Sequence, residues 1–298
     1  MIEVNNVSKY FGEKQVLFGI DTQFEEGKVN LIIGHSGSGK TVLMKCLVGL
    51  HTPEEGKVLY SGREFHHLPE NEKLLLRKEM GMVFQGSALF DSMTIEENVT
   101  FPLDMFTEQS DSEKHDRANF CLECVDLEGV NKLYPAELSG GMKKRAAIAR
   151  ALACNPRYLF FDEPNSGLDP KTSLLIDELI TKITHEFNTT TVVNTHDLNS
   201  IITIGETISF IYQGHLEWRG SSDNILTSDN QTLNDFIYAQ PLTQRLRKTL
   251  GCWPLAVSFW LGLIAEAADR QSPICRTRTL NHIRCRTVYL KIRGIVAG

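Results

Sequence analysis

Long hydrophobic runs are missing from this chain of 298 residues. No apolar stretch reaches the roughly 18 to 20 residues that a membrane-spanning helix requires, and Met1 to Val4 show no sign of a secretory leader. The seven cysteines are scattered, and the C-x-x-C pair Cys121 and Cys124 has no second pair nearby, which favours helix packing over a metal site. These absences predict a cytoplasmic protein with reduced thiols.

Net positive charge is found only at the C-terminal end. The whole chain carries a net charge of −6, but residues 241–298 carry +8 and residues 1–240 therefore carry −14. This split predicts a boundary near residue 240, and the acidic body argues against nucleic acid as a partner. The basic tail could be an interfacial helix, a dimerising extension or the product of a shifted reading frame. We expect it to be poorly ordered and irrelevant to catalysis.

A glycine-rich stretch follows the apolar run Val29–Ile33, which has the character of a buried strand. A segment with helical apolar spacing comes after it, so that strand, glycine loop and helix form the context of a phosphate-binding loop. In such a loop Lys40 would reach the β- and γ-phosphates and the Thr41 hydroxyl would bind Mg²⁺. The sequence therefore predicts binding of a nucleoside triphosphate by Gly34, His35, Ser36, Gly37, Ser38, Gly39, Lys40 and Thr41.

Strands and helices are expected to alternate over most of the chain, which predicts an α/β fold with a mainly parallel sheet. Residues 1–30 alternate apolar and polar positions and predict short antiparallel strands. A strand is expected at residues 80–85 and a helical insertion at about residues 86–155. We expect the helical pattern from Thr94 to Asn155 to be interrupted once, at about residues 131–135.

Two acidic residues end a second apolar run, Tyr158–Phe161. A buried strand of a parallel sheet delivers such residues to the edge where ligands bind. Asp162 would then hold Mg²⁺, and Glu163 would act as general base toward the attacking water.

A second glycine loop, Leu138–Met142, precedes a basic, alanine-rich helix and predicts another anion-binding helix N-terminus. One chain does not need two triphosphate sites, so we expect a head-to-tail dimer in which this loop covers the γ-phosphate bound by the other subunit. Lys143, Lys144 and Arg145 could orient phosphate, but a solvated basic face is the favoured interpretation.

These motifs, in this order, strongly resemble the nucleotide-binding subunit of ABC transporters over residues 1–240. Leu138–Met142 matches the signature loop, with Met142 where the family usually has Gln. The resemblance implies a P-loop NTPase (RecA-like) core, an N-terminal antiparallel β subdomain and a helical signature subdomain. It also implies a homodimer that binds ATP and Mg²⁺.

The resemblance assigns further residues. Phe11 would stack on adenine, Gln85 would contact Mg²⁺ and water, and His196 would contact the γ-phosphate. Residues 166–169 match the D-loop, which crosses the dimer interface. The implied ATP-binding set is completed by Ser139, Gly140, Gly141 and Asp169.

A narrower resemblance follows Gln85. The segment Gly86–Asp91 and the Met of the signature are similar to the Mla-type ATPases, which power phospholipid transport between bacterial membranes. The implied partners are an integral membrane permease (MlaE-like) and an MCE-domain protein (MlaD-like), with the ATPase peripheral on the cytoplasmic face of the inner membrane. Transport of another small solute, or a soluble ABC ATPase acting on nucleic acid or ribosomes, remain the alternatives.

Overall fold

Two β-sheets organise residues 1–239, the part of the chain that the computed structural model describes. The strands are β1 (Ile2–Phe11), β2 (Lys14–Phe24), β3 (Val29–Ile33), β4 (Glu55–Tyr60), β5 (Arg63–Glu64), β6 (Met80–Val83), β7 (Tyr158–Asp162), β8 (Thr190–Thr195), β9 (Thr207–Tyr212) and β10 (His215–Gly220). The helices are α1 (Lys40–Leu47), α2 (Glu70–Lys78), α3 (Ile95–Phe106), α4 (Asp111–Cys124), α5 (Gly140–Leu152), α6 (Pro170–Glu186), α7 (Leu198–Ile204), α8 (Ser222–Ile225) and α9 (Gln231–Ile237).

The larger sheet has the strand order β10-β9-β3-β8-β7-β6 and is parallel except for β10. Every residue of β3 and β8 is buried. Burial on both faces fits the mainly apolar sequence of β3, whereas β8 consists of β-branched residues apart from Asn194. The smaller sheet, of order β2-β1-β4-β5, is antiparallel. The predicted α/β fold with a mainly parallel sheet and an N-terminal antiparallel region is confirmed.

Helix α1 packs in a core cluster that also contains residues of both sheets. Leu43 and Met44 of the helix share this cluster with Ile20 of β2 and with Phe160 of β7. Side chains of this size, fully buried, each contribute about 1.5–3 kcal/mol by leaving water. The packing holds the N-terminus of α1 beside the carboxyl ends of β3, β7 and β8.

The helical insertion differs from the single interruption that we expected at residues 131–135. Helix α3 ends at Phe106 and α4 ends at Cys124, so the pattern breaks twice before α5 begins. Thr94 and Ser110 each form a capping box with the glutamate three residues later, Glu97 and Glu113. Because each box satisfies backbone N–H groups at a helix start, the second one places a new helix at residue 111.

One further boundary differs from the expectation. Strand β6 ends at Val83, so that Gln85 lies in the following turn rather than in the strand. The basic tail of residues 241–298 lies outside the described residues. Within residues 1–239 no helix is long and apolar enough to cross a membrane.

Candidate functional site

The phosphate loop connects β3 to α1 and curls around the Lys40 side chain. Lys40 Nζ donates hydrogen bonds to the carbonyl oxygens of Gly34 at 2.8 Å and His35 at 2.9 Å. Gly34 has a φ of +147°, and a Cβ there would lie 2.1 Å from the carbonyl oxygen of Ile211. Only glycine therefore fits this position, because both the backbone conformation and the close approach exclude a side chain.

The loop encloses polar groups that a phosphate would satisfy. Lys40 is 5% exposed, and burial lowers its pKa, although Glu163 and Asp162 counteract that effect. The Ser38 hydroxyl is buried and lacks a hydrogen-bond partner among the described residues. A buried ammonium and an unpaired hydroxyl at the start of a helix are the features of an anion site.

Asp162 and Glu163 lie at the carboxyl edge of the parallel sheet, where β7 ends. Burial raises the pKa of Asp162 above its ordinary value, and a hydrogen bond from Asn194 counteracts that shift. Glu163 adopts a φ of +48°, a left-handed conformation uncommon for residues other than glycine. Its N–H donates to the backbone carbonyl oxygen of Asn194 at 2.9 Å, which secures this turn.

The structure brings the three candidate catalytic side chains together; Gln85, Glu163 and His196 are called the catalytic cluster below. Gln85 Nε2 lies 3.3 Å from one carboxylate oxygen of Glu163, and His196 Nδ1 lies 3.0 Å from the other. Gln85 Nε2 also donates to the Ser166 hydroxyl at 3.0 Å. Residues from β6–α3, β7–α6 and β8–α7 connections thus meet at a single carboxylate.

Lys144 does not lie on the solvated basic face that we expected for α5, whereas Lys143 is partly exposed. Lys144 is 4% exposed, and its ammonium donates a hydrogen bond to the carbonyl oxygen of Gln85. Burial lowers the pKa of Lys144, and Asp162 and Glu163 oppose that shift. Arg145 donates to the Asp126 carbonyl at 2.6 Å. The prediction was wrong because α5 packs against the segment after β6, a long-range contact that helical periodicity does not reveal.

Arg150, six residues further along α5, holds the same segment. Its guanidinium donates to the carbonyl oxygens of Ser87 at 2.9 Å and Ala88 at 2.7 Å. Helix α5 therefore binds the backbone on both sides of Gly86 through two cationic side chains, which give stronger hydrogen bonds than neutral donors.

The second glycine loop lies in a separate cleft of about 600 Å³, which we call the signature cleft. Ser139 caps α5 by accepting a hydrogen bond from the Met142 N–H at 3.3 Å. Asp169 caps α6 by accepting from the N–H groups of Lys171 and Thr172. The cleft is lined by Ser139, Gly140, Gly141, Gly167, Leu168 and Asp169, and no residue of the phosphate loop lines it.

Phe11 ends β1 and is 46% exposed. Its ring packs edge-on against His51, with centroids 5.3 Å apart, and the Lys9 ammonium lies 5.3 Å from its centroid. An exposed aromatic ring suits stacking on a base, and the assignment to adenine stays a prediction.

Oxygen donors suitable for Mg²⁺ meet beside the phosphate loop. The Asn194 amide nitrogen lies 3.2 Å from Thr41 Oγ1 and 2.5 Å from Asp162 Oδ1. Hydroxyl and carboxylate oxygens are among the ligands that this cation prefers, so Thr41 and Asp162 suit the expected set. The contacts of Gln85 are with Glu163 and Ser166, and its part in binding Mg²⁺ stays a prediction. We did not predict Asn194 as a site residue, although a polar residue after two valines in a strand was a detectable signal.

A glycine loop around a buried lysine, an acidic pair at the carboxyl edge of a parallel sheet and a second helix that begins with two glycines define a P-loop nucleoside triphosphatase. Residues 17–166 match the ABC transporter family. The chain belongs to this family, as its ATP-binding subunit, and is an ATPase.

Two curated relatives differ in the transport that their names state. The methionine import ATP-binding protein MetN of Campylobacter jejuni subsp. jejuni is 37% identical over 80% of this chain and 75% of its own length. The intermembrane phospholipid transport system ATP-binding protein MlaF of Haemophilus influenzae is 35% identical over 80% of this chain and 90% of its own length. The family is therefore established, and identity alone does not separate the two kinds of cargo.

Among solved structures, the chain is similar to the ATP-binding cassette MJ0796 in a dimeric post-hydrolysis state with ADP and Pi. The TM-score is 0.68 at 35% identity, with 74% of this chain and 99% of that chain covered.

Proposed function

We propose that this ATPase energises phospholipid transport between bacterial membranes, through a permease and an MCE-domain partner. It would be peripheral on the cytoplasmic face of the inner membrane. The coverage of 90% of MlaF, against 75% of MetN, supports the proposal. The observation that carries it is the conformation of residues 86–91, where the Mla-type resemblance is concentrated.

This segment has a defined shape that its sequence explains. Ser87 and Ala88 have φ values of +64° and +50°, and Arg150 binds both of their carbonyl oxygens. The Phe90 ring packs on Phe101 with centroids 4.8 Å apart, and the Asn98 side chain accepts from the Phe90 N–H at 2.7 Å. Partly exposed Phe90 is thus presented on a rigid turn, as a partner-specific contact requires.

An apolar groove lies on the same helical insertion and the preceding helix α2. It includes the exposed side chains of Leu74, Leu75 and Met105, together with Phe106. Exposed apolar clusters of this kind mark interaction sites, and we assign the groove to a helix of the permease.

Nucleotide and cation would bind at the phosphate loop. Lys40 and the loop N–H groups would hold the β- and γ-phosphates, and Thr41, Asp162 and Gln85 would hold Mg²⁺. The cation, when bound, supplies neutralisation of the charge that develops on the transferred phosphoryl group.

Hydrolysis requires a positioned water, and the catalytic cluster fits this task. Glu163 would orient the water and accept its proton, while Gln85 and His196 hold one carboxylate oxygen each. Because all three side chains come from different connections of the sheet, a shift of any of these segments would disturb the reaction.

Two copies of the chain are needed for a complete site. The signature cleft supplies glycines and a helix N-terminus for an anion, yet it is lined by no residue of the phosphate loop. We infer a head-to-tail homodimer in which Ser139, Gly140, Gly141 and Asp169 of one subunit complete the ATP site of the other. The dimeric state of MJ0796 supports this arrangement.

A second candidate is import or export of another small solute with the same ATPase mechanism. The similarity to MetN favours it, since this chain is 37% identical to MetN and 35% identical to MlaF.

Affinity purification of the full chain from native membranes, followed by mass spectrometry, separates the two candidates. We expect a permease together with an MCE-domain protein. A permease of an unrelated uptake system would contradict the lipid assignment and leave the ATPase assignment intact.

A matched pair of variants tests the groove. Leu75→Glu, in the groove, should lose the permease, whereas Leu50→Glu, of similar exposure at 57% against 61%, should retain it. Retention of the permease by Leu75→Glu would contradict the groove assignment.

A further inference from the structure

A buried asparagine interrupts the apolar part of β8. Asn194 is 0% exposed and follows Val192 and Val193 in a strand that is buried along its whole length. A buried amide is unfavourable unless its donors and acceptors are satisfied, so its contacts should explain why it is tolerated.

Asn194 connects three groups of the ATP site. Its side-chain nitrogen donates to Asp162 Oδ1 at 2.5 Å and to Thr41 Oγ1 at 3.2 Å. Its backbone carbonyl oxygen accepts a hydrogen bond from the Glu163 N–H at 2.9 Å. The register explains this reach, because Asn194 pairs with Asp162 of β7 and with Ile32 of β3, close to where the phosphate loop begins.

The orientation of the amide follows from chemistry. Its nitrogen faces a carboxylate, and the reverse orientation would place two acceptor oxygens against each other. The amide oxygen is then left buried and without a hydrogen-bond partner in the part of the chain that the structure describes.

Asn30 shows what a buried asparagine with a purely structural role looks like. It is 1% exposed, and its amide nitrogen donates to the carbonyl oxygens of Glu25, Lys28 and Thr191. Its amide oxygen accepts from the Glu25 N–H and the Thr207 hydroxyl. Protein groups thus satisfy both the amide nitrogen and the amide oxygen of Asn30, whereas in Asn194 they satisfy only the amide nitrogen.

We propose that Asn194 is a positioning residue of the Mg²⁺ centre. It holds the Thr41 hydroxyl and the Asp162 carboxylate in the orientation that binds the cation, and its amide oxygen accepts a hydrogen bond from a water of that centre. The inference rests on the proposed Mg²⁺–ATP site. Outer partners of metal ligands contribute about 10- to 100-fold in metal affinity, so a measurable effect is expected.

The test compares the full-length chain with Asn194→Val, which suits a buried strand beside two valines. ATP affinity is measured calorimetrically in EDTA and with Mg²⁺. Mn²⁺ then takes the place of Mg²⁺ as the probe, and its affinity in the presence of ATP is measured by electron paramagnetic resonance. We expect Asn194→Val to weaken Mn²⁺ binding about 10-fold or more. Its ATP affinity in EDTA should stay within about twofold of the native value, and the variant should remain folded without ligands.

Two further variants make the result specific. Asn194→Thr keeps one hydroxyl donor and should retain part of the Mn²⁺ affinity. Asn30→Val should lower the Tm and leave the Mn²⁺ affinity unchanged.

Native-like Mn²⁺ affinity in Asn194→Val would overturn the inference, as would equal losses in the valine and threonine variants. A variant that unfolds, or loses ATP binding in EDTA equally, would overturn it in favour of a structural role. If the native chain bound ATP without any dependence on the cation, the Mg²⁺–ATP proposal itself would fail.

Discussion

The catalytic cluster and the signature cleft are both built at helix N-termini and turns, yet they differ in completeness. In the catalytic cluster, Gln85 and His196 bind the two oxygens of Glu163 within one chain. In the signature cleft, Ser139 and Asp169 satisfy backbone N–H groups of their own helices. The first region is thus arranged for chemistry by one chain, whereas in the proposed dimer the second would contact a ligand bound by the other chain.

Helix α5 links the two regions. It begins in the signature cleft at Gly140 and binds the Gln85 carbonyl through Lys144 one turn later. A displacement of the signature loop would therefore be transmitted to the backbone that carries a member of the catalytic cluster. This continuity gives a physical route by which dimer closure could control hydrolysis.

The largest expected effect is loss of the carboxylate at the catalytic cluster. Glu163→Gln should reduce the hydrolysis rate by about 10²- to 10⁴-fold, the usual contribution of a general base. Nucleotide binding should persist, since Lys40 and the phosphate loop are untouched. Phosphate release and ATP affinity measure the two effects. The control is Glu13→Gln, in an exposed turn, and near-native turnover in Glu163→Gln would contradict the assigned role.

A smaller effect is expected where α5 meets the catalytic cluster. Lys144→Met removes the buried donor to the Gln85 carbonyl, which should cost about 1–3 kcal/mol of unfolding free energy. Misplacement of Gln85 should lower the hydrolysis rate by about 10- to 100-fold. Urea unfolding and phosphate release measure these losses.

The neighbouring residue provides the control for that experiment. Lys143→Met alters a partly exposed lysine of the same helix and should change neither quantity appreciably. Equal effects of the two substitutions would contradict the claim that the Lys144 hydrogen bond positions Gln85.

The smallest effect on hydrolysis is expected at the support of the D-loop, where the substitution acts on stability. Asp177 of α6 accepts a hydrogen bond at 2.8 Å from Asn165, just before that loop, and burial raises the pKa of Asp177 to about 6 from 3.8. The folded chain therefore binds more protons than the unfolded chain between about pH 4 and 6, and stability falls as pH rises through this window.

Asp177→Asn should remove this pH dependence. The variant should gain stability relative to the native chain as pH rises, by about 2–3 kcal/mol at pH 7.5. Denaturant unfolding at several pH values measures the difference. A constant difference between the two chains from pH 4 to 7.5 would contradict the account.

Local patterns predicted much of this molecule. The apolar runs before the phosphate loop and before Asp162 became β3 and β7, and the order of glycine and acidic motifs indicated the family. Contacts across the chain were not predictable in the same way. Lys144 looks like any lysine on a helix, and its burial depends on the turn after β6, about 60 positions earlier. Asn194 acquires a role only because β8 lies between β3 and β7.

The claim that two chains share each ATP site is tested most directly by sedimentation of Glu163→Gln. Slow hydrolysis should preserve the ATP-bound state, so we expect a monomer without nucleotide and a dimer with Mg²⁺–ATP. Adding Ser139→Arg, which fills the signature cleft, should restore the monomer while ATP still binds. A chain that binds ATP and remains monomeric, or a dimer unaffected by Ser139→Arg, would contradict the account.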